Sequence, residues 1–467
     1  MSLSFLDVKR ADKNYEFFYG DLYSLMFKAG SVVAETVETQ YGKGRRILVA
    51  CGSGNNGGDG FVAARILSAS NDVTVLAVSG REGMKTEESR KAAREYKGKI
   101  ITTKEVARAA SSAEIIVDAL LGAGIVGEPR EPYSSLIKAI NSSGKNLVSV
   151  DIPSGLGSRT RVKPNITVTF TGVKQGMTKG NSGNIVEAGI GIPEKVFTHN
   201  GPGEFAYYRL PGKDSHKGMN GSVALVAGWT FYGSAIIASM GAIRAGSDLV
   251  RIYSRHENRV VLSTYSPDII VRDAENREIL EEIRNSDAIL IGPGLGKSQP
   301  MDETLRAIKG FKGTIVLDAE GLDLVSKVRK VCPETGMILT PHRGEFQRIS
   351  GKEPDERNAA EFAKKLNCSV ILKGVLDTVT DGKRTRYTEG GNPRMSMGGT
   401  GDLLAGIASA ISTRVEDPFN AACLASFINK RVGDMCFRQK SYWYTIEDMI
   451  GAIPDVMKMS EGTAILV

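Results

Sequence analysis

The sequence predicts an α/β protein in which helices cover both faces of mainly parallel β-sheets. Three observations indicate this fold class. Short apolar segments alternate along the chain with segments of helical periodicity. Several apolar segments end in glycine or aspartate, as buried parallel strands do where they reach a ligand-binding edge. A length of 467 residues exceeds one ordinary hydrophobic core, so more than one domain is expected.

In the first part of the chain, four apolar segments are predicted to be buried strands, and three amphipathic segments to be helices. The strands are residues 47–50, 73–78, 115–117 and 147–150. The helices are residues 61–67, 87–96 and 136–140. This order is typical of β-α-β units in one doubly wound parallel sheet.

The alternation stops around residues 198–203 and then restarts, which predicts a domain boundary. We therefore expect a first domain over residues 1–205 and a second over residues 212–467. In the second domain a long helix of small residues is predicted at 234–245, and the chain from Asp402 onward is predicted to be mainly helical. The predicted strands are residues 223–227, 249–253, 288–291, 315–317 and 370–372.

Composition narrows the range of functions. A net charge of +7 without a run of five basic residues disfavours a nucleic-acid partner and favours small anionic ligands. Five scattered cysteines with no C-x-x-C pair are typical of reduced thiols, not of disulfides or a zinc site. Neither a signal pattern nor an uninterrupted apolar run of 18 residues is found, so we expect a cytoplasmic protein with no membrane partner.

The turn at residues 397–402 has the sequence Met-Gly-Gly-Thr-Gly-Asp and runs directly into an apolar helical segment. Unshielded backbone N–H groups at a helix N-terminus favour an anion such as a phosphate. Asp402 could there take a proton from a hydroxyl group while the glycine amides hold the phosphoryl group that this hydroxyl attacks. Taken by itself, the turn fits an acidic helix cap equally well.

A second glycine-rich loop, residues 51–60, follows the first predicted strand. Its Gly-x-Gly-x-x-Gly spacing fits a dinucleotide-binding fingerprint, but the acidic residue expected at the end of the next strand is missing. Asn55, Asn56 and Asp59 instead offer oxygens to a polar ligand or a hard cation, or they cap a tight turn. Asp118 and Asp151 end two further strands, so a site is predicted at this edge of the sheet.

The segments 55–60, 118–124 and 151–155 together resemble the YjeF N-terminal family, whose members epimerise the hydrated nicotinamide ring of damaged NADH or NADPH. The resemblance implies a Rossmann-like domain, a potassium ion held by Asn56, Asp118 and Ser154, and an acid–base role for Asp151. It also implies that the hydrate contacts a set of residues in these segments: Asn55, Asn56, Gly57, Gly58, Asp59, Gly122, Ala123, Gly124, Ile125, Val126, Gly127, Glu128 and Asp151.

Further motifs lie in the second domain: Ser-His-Lys-Gly at 215–218, Gly-Pro-Gly-Leu-Gly at 292–296, Thr-Pro-His-Arg-Gly-Glu at 340–345 and Leu-Lys-Gly at 372–374. Each alone could be a turn or a surface charge. With the 397–402 turn they resemble the ribokinase-like superfamily, and most closely its NAD(P)H-hydrate dehydratase branch. One departure from that branch is Trp229, which stands where small residues are usual.

In that branch a nucleotide phosphorylates the hydroxyl of the hydrate, and phosphate then leaves to restore the double bond. The resemblance implies Asp402 as the base, Mg²⁺ with ADP or ATP, and contacts from Gly294, His342 and Asp402 to the hydrate. It implies that the nucleotide contacts Lys373, Gly374, Val375, Leu376, Asp377, Asn392, Met397, Gly398, Gly399, Thr400 and Gly401.

The leading hypothesis is a bifunctional repair enzyme for hydrated NADH and NADPH (NADHX and NADPHX). The first domain would interconvert the R and S hydrates, and the second would dehydrate the S hydrate with ADP or ATP. We expect it to form a homo-oligomer. Two alternatives remain: a ribokinase-like kinase that releases a phosphorylated small molecule, and a first domain that binds a ligand without catalysis.

Overall fold

The computed structural model describes residues 2–124, 127–296 and 301–466. The chain divides into two compact units, Met1–Pro193 and Glu194–Val467. Residues 194–205, which the sequence assigns to the first domain, belong to the second unit. They are held there by a buried ion pair between Glu204 and Arg386 (2.8 Å) and by a hydrogen bond from Asn200 to Thr388 (2.9 Å).

The first unit contains a parallel sheet, which confirms the predicted doubly wound fold. Within the described residues it has seven strands in the order β3-β2-β1-β4-β5-β6-β7. Every pairing in it is parallel. The strands are β1 (Arg46–Cys51), β2 (Asp72–Ala77), β3 (Lys99–Ile101), β4 (Ile115–Ala119), β5 (Asn146–Val150), β6 (Ile166–Phe170) and β7 (Asn184–Ala188).

The helices of the first unit cover this sheet. They are α1 (Phe5–Tyr19), α2 (Leu22–Tyr41), α3 (Asn55–Leu67), α4 (Glu87–Glu95), α5 (Val106–Ser112), α6 (Tyr133–Ser142) and α7 (Lys179–Ser182). The sequence places the start of α3 at residue 61, but the helix already begins at Asn55. Asn55 to Asp59 therefore form the first turn of a helix and not a free loop. This start directs polar side chains to the carboxyl edge of β1.

The second unit is built around a larger mixed sheet. Its nine strands, counted within the described residues, have the order β11-β10-β9-β12-β13-β14-β15-β16-β17, and only β15 to β17 pair antiparallel. A small parallel pair, β8 (Arg209–Leu210) and β18 (Ile465–Leu466), lies outside this sheet. The nine strands are β9 (Ser222–Val226), β10 (Leu249–Ser254), β11 (Ile269–Asp273), β12 (Ala288–Ile291), β13 (Thr314–Leu317), β14 (Gly336–Leu339), β15 (Ser369–Leu372), β16 (Asp377–Thr380) and β17 (Thr385–Thr388).

Helices pack on both faces of this sheet. They are α8 (Lys195–Thr198), α9 (Tyr232–Arg244), α10 (Arg259–Tyr265), α11 (Arg277–Glu281), α12 (Met301–Ala307), α13 (Val325–Val331), α14 (Arg343–Ser350), α15 (Glu356–Leu366), α16 (Thr400–Ile411), α17 (Pro418–Lys440) and α18 (Ile446–Ser460). Alternate residues of one strand enter opposite cores, because side-chain direction has a period of two. In β9, Leu225 packs with α9 and α16, whereas Val226 packs with α13 and α14.

The glycine and alanine residues of α9 and α16 let these two helices pack closely. A Cβ atom on Gly406 would lie 2.0 Å from the Ala238 carbonyl oxygen, and one on Gly241 would lie 3.0 Å from Leu403. This contact fixes the position of α16 and of the turn before it. Among the described residues, no helix combines the length and the apolar character needed to cross a bilayer.

Candidate active sites

A cavity of about 530 Å³ opens at the carboxyl edge of the first sheet. Its walls come from α1, α2, the first turn of α3 and the segments after β4, β5 and β6. A volume of this size fits part of a nucleotide-sized ligand. Seven residues predicted to contact substrate line it: Asn55, Asn56, Asp59, Gly122, Ala123, Gly124 and Asp151.

The other predicted contacts of this unit have different surroundings. A Cβ atom on Gly57 would lie 2.0 Å from the carbonyl oxygen of Gly52, so this glycine permits close packing of α3 on the turn before it. Gly58 packs against Met26. Glu128 accepts backbone hydrogen bonds from Arg159 (2.7 Å) and Thr160 (3.2 Å), which lower its pKa. Ile125 and Val126 lie outside the described residues, and Gly127 is not among the cavity-lining residues described.

The half-buried Asp151 forms an ion pair with the buried Lys174 in the cavity wall. Lys174 also donates to the Thr169 hydroxyl (3.0 Å) and to the Phe170 carbonyl (2.5 Å). Asp151 has a φ of 63°, a left-handed conformation that is costly for a residue other than glycine. This arrangement holds one carboxylate and one ammonium group at a fixed position beside the cavity.

Two further carboxyl groups face the same cavity. Burial and the nearby charge of Asp151 raise the pKa of Asp12 to about 7, although Lys174 opposes the shift. Burial, Asp151 and Asp12 also raise the pKa of Asp59 well above its usual range. The cavity therefore combines two carboxyl groups whose pKa values are raised with an Asp151 side chain that is paired with a cation. Carboxyl groups with raised pKa values beside a cavity are characteristic of acid–base sites.

Asp118 and Ser154, two of the three predicted potassium ligands, are in direct contact. The Ser154 hydroxyl donates to Asp118 (2.5 Å), and the Ser154 amide donates to the other carboxylate oxygen (2.9 Å). The third, Asn56, is buried, and neither atom of its amide has a hydrogen-bond partner among the described residues. Ser154 bonds the Leu121 amide (2.8 Å), and Asn56 packs against the adjoining Gly122. The three residues thus surround one short turn.

In the second unit, the predicted phosphate turn leads directly into α16. Gly399, with φ 95°, is the N-cap of the helix, and no side-chain cap is found there in the described part of the chain. Asp402 stands in the first helical turn. Lys373 approaches from the end of β15, since a Cβ atom on Gly401 would lie 3.1 Å from its Nζ. Free amides, a cation and a carboxylate therefore meet at this turn, as transfer of a phosphoryl group requires.

The ionisation of Asp402 reflects these neighbours. Burial and the charge of Asp318 raise its pKa to about 6, while a hydrogen bond from Ser234 on α9 and the charge of Lys373 act in the opposite direction. At neutral pH the group is still mostly ionised, so it can accept a proton. Its pKa lies nearer to neutrality than that of an ordinary aspartate, which suits a general base.

Lys373 is surrounded by acidic groups. Its ammonium lies 3.3 Å from Asp318 and 3.9 Å from Glu345. Burial alone would lower its pKa, but these carboxylates outweigh burial and the pKa is raised. Lys373 is therefore charged. Among the described residues, no group of three or more histidine, cysteine or acidic side chains is placed to hold a metal ion by itself.

His342 is the N-cap of α14. Its Nδ1 accepts from the amides of Gly344 (3.1 Å) and Glu345 (3.2 Å), and Glu345 accepts from the His342 amide (2.8 Å). Backbone pairing of His342 with Lys373 brings this cap beside the phosphate turn. Nε2 of the exposed ring makes no bond to the backbone and lies 3.5 Å from a carboxylate oxygen of Glu345. Gly294 lies in the segment after β12, and its carbonyl accepts a hydrogen bond from the Thr230 amide (2.9 Å).

Several residues predicted to bind nucleotide organise the loops around the site. Asp377 is buried and accepts hydrogen bonds from Gly374 (3.0 Å) and Ser426 (3.0 Å). The Lys430 ammonium donates hydrogen bonds to the carbonyls of Gly374 (2.7 Å) and Val375 (3.0 Å). Val375 is left 96% exposed and Leu376 44% exposed, so they offer apolar surface.

Asn392 and Thr400 also have internal partners. The Asn392 side chain accepts from Tyr444 (2.8 Å) and donates to Gly433 (3.0 Å), while the Thr400 hydroxyl donates to Met395 (2.9 Å). These bonds shape the segment 392–400 that leads into α16. Trp229 is buried in the apolar core, and its ring lies 5.4 Å from the Arg255 guanidinium.

The sequence did not point to Asp12, Lys174, Ser234 or Asp318. Asp318 directly follows β13, so the rule that identified Asp118 and Asp151 at strand ends could have found it. Lys174 lies beyond β6 in an irregular segment, and Asp12 and Ser234 are single polar residues on helices. For these three, no local pattern distinguishes a site residue from a solvated one.

Comparison with known proteins divides the chain in the same way. Residues 22–176 match the family described as YjeF-related protein N-terminus, and residues 223–455 match the family described as NAD(P)H-hydrate dehydratase. The chain is 38% identical, over 470 residues, to the bifunctional NAD(P)H-hydrate repair enzyme of Archaeoglobus fulgidus. The aligned region covers 97% of this chain and 98% of that protein.

The enzyme of the same name from Escherichia coli is 30% identical, covering 92% of this chain and 88% of that protein. Among solved structures, a ribokinase-like superfamily protein from Enterococcus faecalis is 25% identical with a TM-score of 0.52. That match covers 56% of this chain and 96% of the other. The predicted ribokinase-like fold of the second unit is thereby confirmed.

Proposed function

Because the chain belongs to the family of bifunctional NAD(P)H-hydrate repair enzymes, we propose that it repairs hydrated NADH and NADPH in two steps. The first unit interconverts the R and S hydrates. The second unit uses ADP or ATP to dehydrate the S hydrate. The family resemblance inferred from the sequence is confirmed by these relatives, whose similarity extends over nearly the whole chain.

One observation carries the proposal for the second unit: Asp402, with a pKa of about 6, stands at the uncapped start of α16 beside the Lys373 ammonium. Uncapped N–H groups and a lysine attract phosphate oxygens. A partly buried carboxylate in the same turn can accept the proton of a hydroxyl group that attacks the phosphorus. An ordinary helix cap would not need the converging lysine.

The reaction of the second unit then proceeds in two stages. Asp402 takes the hydroxyl proton as the hydroxyl oxygen of the hydrate attacks the terminal phosphorus of the nucleotide, and the nucleotide, now shorter by one phosphate, leaves with the electron pair of the broken P–O bond. The amides of residues 398–401 and Lys373 stabilise the charge of the transferred phosphoryl group. The phosphate then leaves with the C–O electron pair, and the neighbouring carbon loses a proton to solvent as the carbon–carbon double bond forms. His342 and Gly294 contact the hydrate, and the exposed surface of Val375 and Leu376 contacts the nucleotide.

The donor set near Lys373 fits magnesium that enters with the nucleotide. Mg²⁺ is usually held by one or two carboxylates together with substrate phosphates. Asp318 and Glu345 lie within 4 Å of the Lys373 ammonium and can share such an ion with the phosphates. When bound, Mg²⁺ neutralises charge that develops on the phosphate oxygens.

In the first unit we propose that Asp151 acts as an acid–base group and that Asn56, Asp118 and Ser154 hold potassium. Potassium is a hard cation that prefers oxygen ligands. The unpartnered amide of Asn56 supports this site, since a buried amide without a partner is costly. Asp118 already accepts hydrogen bonds from Ser154 and Ser149 (2.8 Å), so the ion would share these oxygens.

A potassium titration tests this site. Epimerase activity of the full chain should rise with added KCl and should not respond equally to LiCl or choline chloride. Asn56→Ala should weaken the response. A response that is identical in wild type and Asn56→Ala would overturn this ligand assignment.

A combined assay tests the two activities. Purified protein receives a mixture of R and S hydrates of NADH with MgCl₂ and ATP or ADP, and recovery of NADH absorbance is followed. Full recovery is expected. Recovery limited to the S share would overturn the epimerase assignment, and the absence of nucleotide-dependent recovery would overturn the dehydratase assignment. A stable phosphorylated product would indicate a kinase instead.

We also propose that the protein is cytoplasmic, because all five cysteines are free and buried. Self-association is supported by apolar side chains exposed on α10, namely Val260 (72%), Val261 (45%) and Tyr265 (47%). Light scattering of the purified chain tests for a homo-oligomer. A monomer at micromolar concentration would exclude it.

A further inference from the structure

Helix α1 brings a carboxyl group into the cavity of the first unit. Asp12 lines this cavity together with Asp59, Asp151 and Lys174. Asp12 is exposed, which is expected for a group that faces an open cavity. Asp12 precedes residues 22–176, the part of the first unit that matches the family.

The structure fixes the position of α1 relative to Lys174. Leu3 pairs with the segment on both sides of that lysine: its amide donates to Val173 (3.0 Å), and its carbonyl accepts from Gln175 (2.8 Å). Ser4 then begins the helix with a reciprocal cap, in which Ser4 and Asp7 each bond the other's backbone amide (3.1 and 3.0 Å). Asp12 is therefore held on the same framework as the Asp151–Lys174 pair.

The carboxyl group of Asp12 is also available to a ligand. Asp118, a structural contrast in the same unit, accepts hydrogen bonds from Ser149 (2.8 Å) and Ser154 (2.5 Å). No hydrogen bond to the Asp12 side chain is found within the part of the chain that the structure describes. A carboxyl group that faces a cavity without a protein partner is suited to exchange a proton with a bound molecule.

We propose that Asp12 is a catalytic residue of the first unit, the proton donor to the hydroxyl group of the bound hydrate, with Asp151 as the proton acceptor. This inference rests on the epimerase activity proposed above. It adds a group from α1 to the residues that the family resemblance implies.

The chemistry follows from the structure of a hydrate. Water adds to an enamine at the carbon bonded to nitrogen, and that carbon is inverted when its C–O bond breaks and re-forms on the opposite face. A proton passes from Asp12 to the hydroxyl oxygen, and water leaves with the C–O electron pair while the ring nitrogen stabilises the cation. Water then forms a C–O bond on the opposite face and gives a proton to Asp151. Solvent returns this proton to Asp12, so nothing is consumed.

The charges around Asp12 support a donor that works near neutral pH. Burial and Asp151 raise its pKa to about 7, and Lys174 acts against them. A donor is most effective when its pKa is close to the working pH. The other ionisable groups that share the cavity wall are Lys9 on α1, Asp59 on α3, Lys85, Glu88 on α4, Tyr133 on α6, Asp151 and Lys174.

Asp12→Asn in the full chain tests the proposal. Conversion of purified R hydrate to S hydrate, without nucleotide, is followed by chromatography. We expect kcat to fall by about 100-fold or more with little change in KM, since a general acid typically contributes this much. Dehydration of the S hydrate should be unchanged and serves as an internal control. Asp12→Glu should recover part of the lost rate.

Glu16→Gln is the matched control, because Glu16 lies on the same helix but is exposed and pairs with Lys13 (2.7 Å). It should keep the wild-type rate. The wild-type kcat should also fall as pH rises through about 7, because the donor loses its proton, and Asp12→Asn should lack this fall.

An Asp12→Asn variant with wild-type kcat, or with a changed KM alone, would overturn the role of Asp12 and leave the epimerase assignment intact. A wild-type chain that does not interconvert the hydrates would overturn both. If Asp12→Asn does not fold, Asp12→Glu and the wild-type pH profile decide the matter. A wild-type rate that does not fall above pH 7 would contradict the proposal.

Discussion

Replacing Asp402 with asparagine should remove dehydratase activity and stabilise the second unit at the same time. In the function proposed above, Asp402 is the base at the phosphate turn, so its loss should lower kcat by about 100- to 10,000-fold, the usual contribution of such a group. Its surroundings, however, disfavour its own negative charge, because it is partly buried beside Asp318. A neutral side chain of the same shape avoids that cost.

The size of the stability gain follows from the pKa of Asp402. A carboxyl group whose pKa rises from 3.8 to about 6 carries a cost of about 3 kcal/mol when it is ionised. The folded state binds the extra proton between these pH values. The contribution of protonated Asp402 to the free energy of unfolding is therefore fully present below pH 3.8 and is lost as pH rises through about 6. Asp402→Asn should gain up to about 3 kcal/mol at pH 7.5, and the gain should shrink toward pH 4.

The assay compares urea unfolding of the full chain at pH 7.5 and 5 with nucleotide-dependent recovery of NADH. Glu447→Gln is the matched control, because Glu447 lies in the first turn of α18 but is exposed. It should change the free energy of unfolding by less than about 0.5 kcal/mol. Full activity in Asp402→Asn, or lower stability at pH 7.5 than wild type, would refute the reasoning.

Three further perturbations have definite expected outcomes. Lys373→Met should move the acid limb of dehydratase activity to higher pH, because Lys373 lowers the pKa of Asp402, and a pH–rate profile measures the shift. Gly406→Ala should destabilise the second unit by at least about 1–3 kcal/mol in urea unfolding, because its Cβ would lie 2.0 Å from the Ala238 carbonyl. Gly451→Ala in α18, where nothing lies within 4 Å, should be neutral or stabilising. Glu204→Gln should cost about 3 kcal/mol or more, because it leaves buried Arg386 without its charged partner, whereas Glu416→Gln in the exposed pair with Arg209 should change little.

Much of the fold could be predicted from the sequence because buried parallel strands are locally apolar. The strands around residues 47–50, 223–227 and 288–291 were found in this way. β3 has only three residues, and β6 alternates threonine with apolar residues, so neither has a strong apolar pattern. The start of α3 was missed because glycines at 57, 58 and 60 are poor helix formers, and tertiary packing overrides that preference.

For the candidate sites, residues in compact motifs could be named from the sequence. Asp402, Lys373 and His342 do lie close to one another, because neighbouring parallel strands end at the same edge of the sheet. The sequence alone could not separate residues that face a ligand from residues that support the surrounding loops. Asp377 lies next to a motif, but its side chain accepts a hydrogen bond from the Gly374 amide and so supports the loop after β15. Asp318 lies outside the motifs considered, yet its charge raises the pKa of Asp402.

The sequence by itself determined the α/β class, the two families joined in one chain and the segments that carry their motifs, because these depend on local patterns of residues. Only the tertiary structure decided which charges meet. Asp12 joins Asp151 across residues far apart in the chain, and Asp402 obtains its pKa of about 6 from burial and from Asp318. Burial and Coulomb interactions depend on distances in space, and these distances cannot be read from the spacing of residues along the chain.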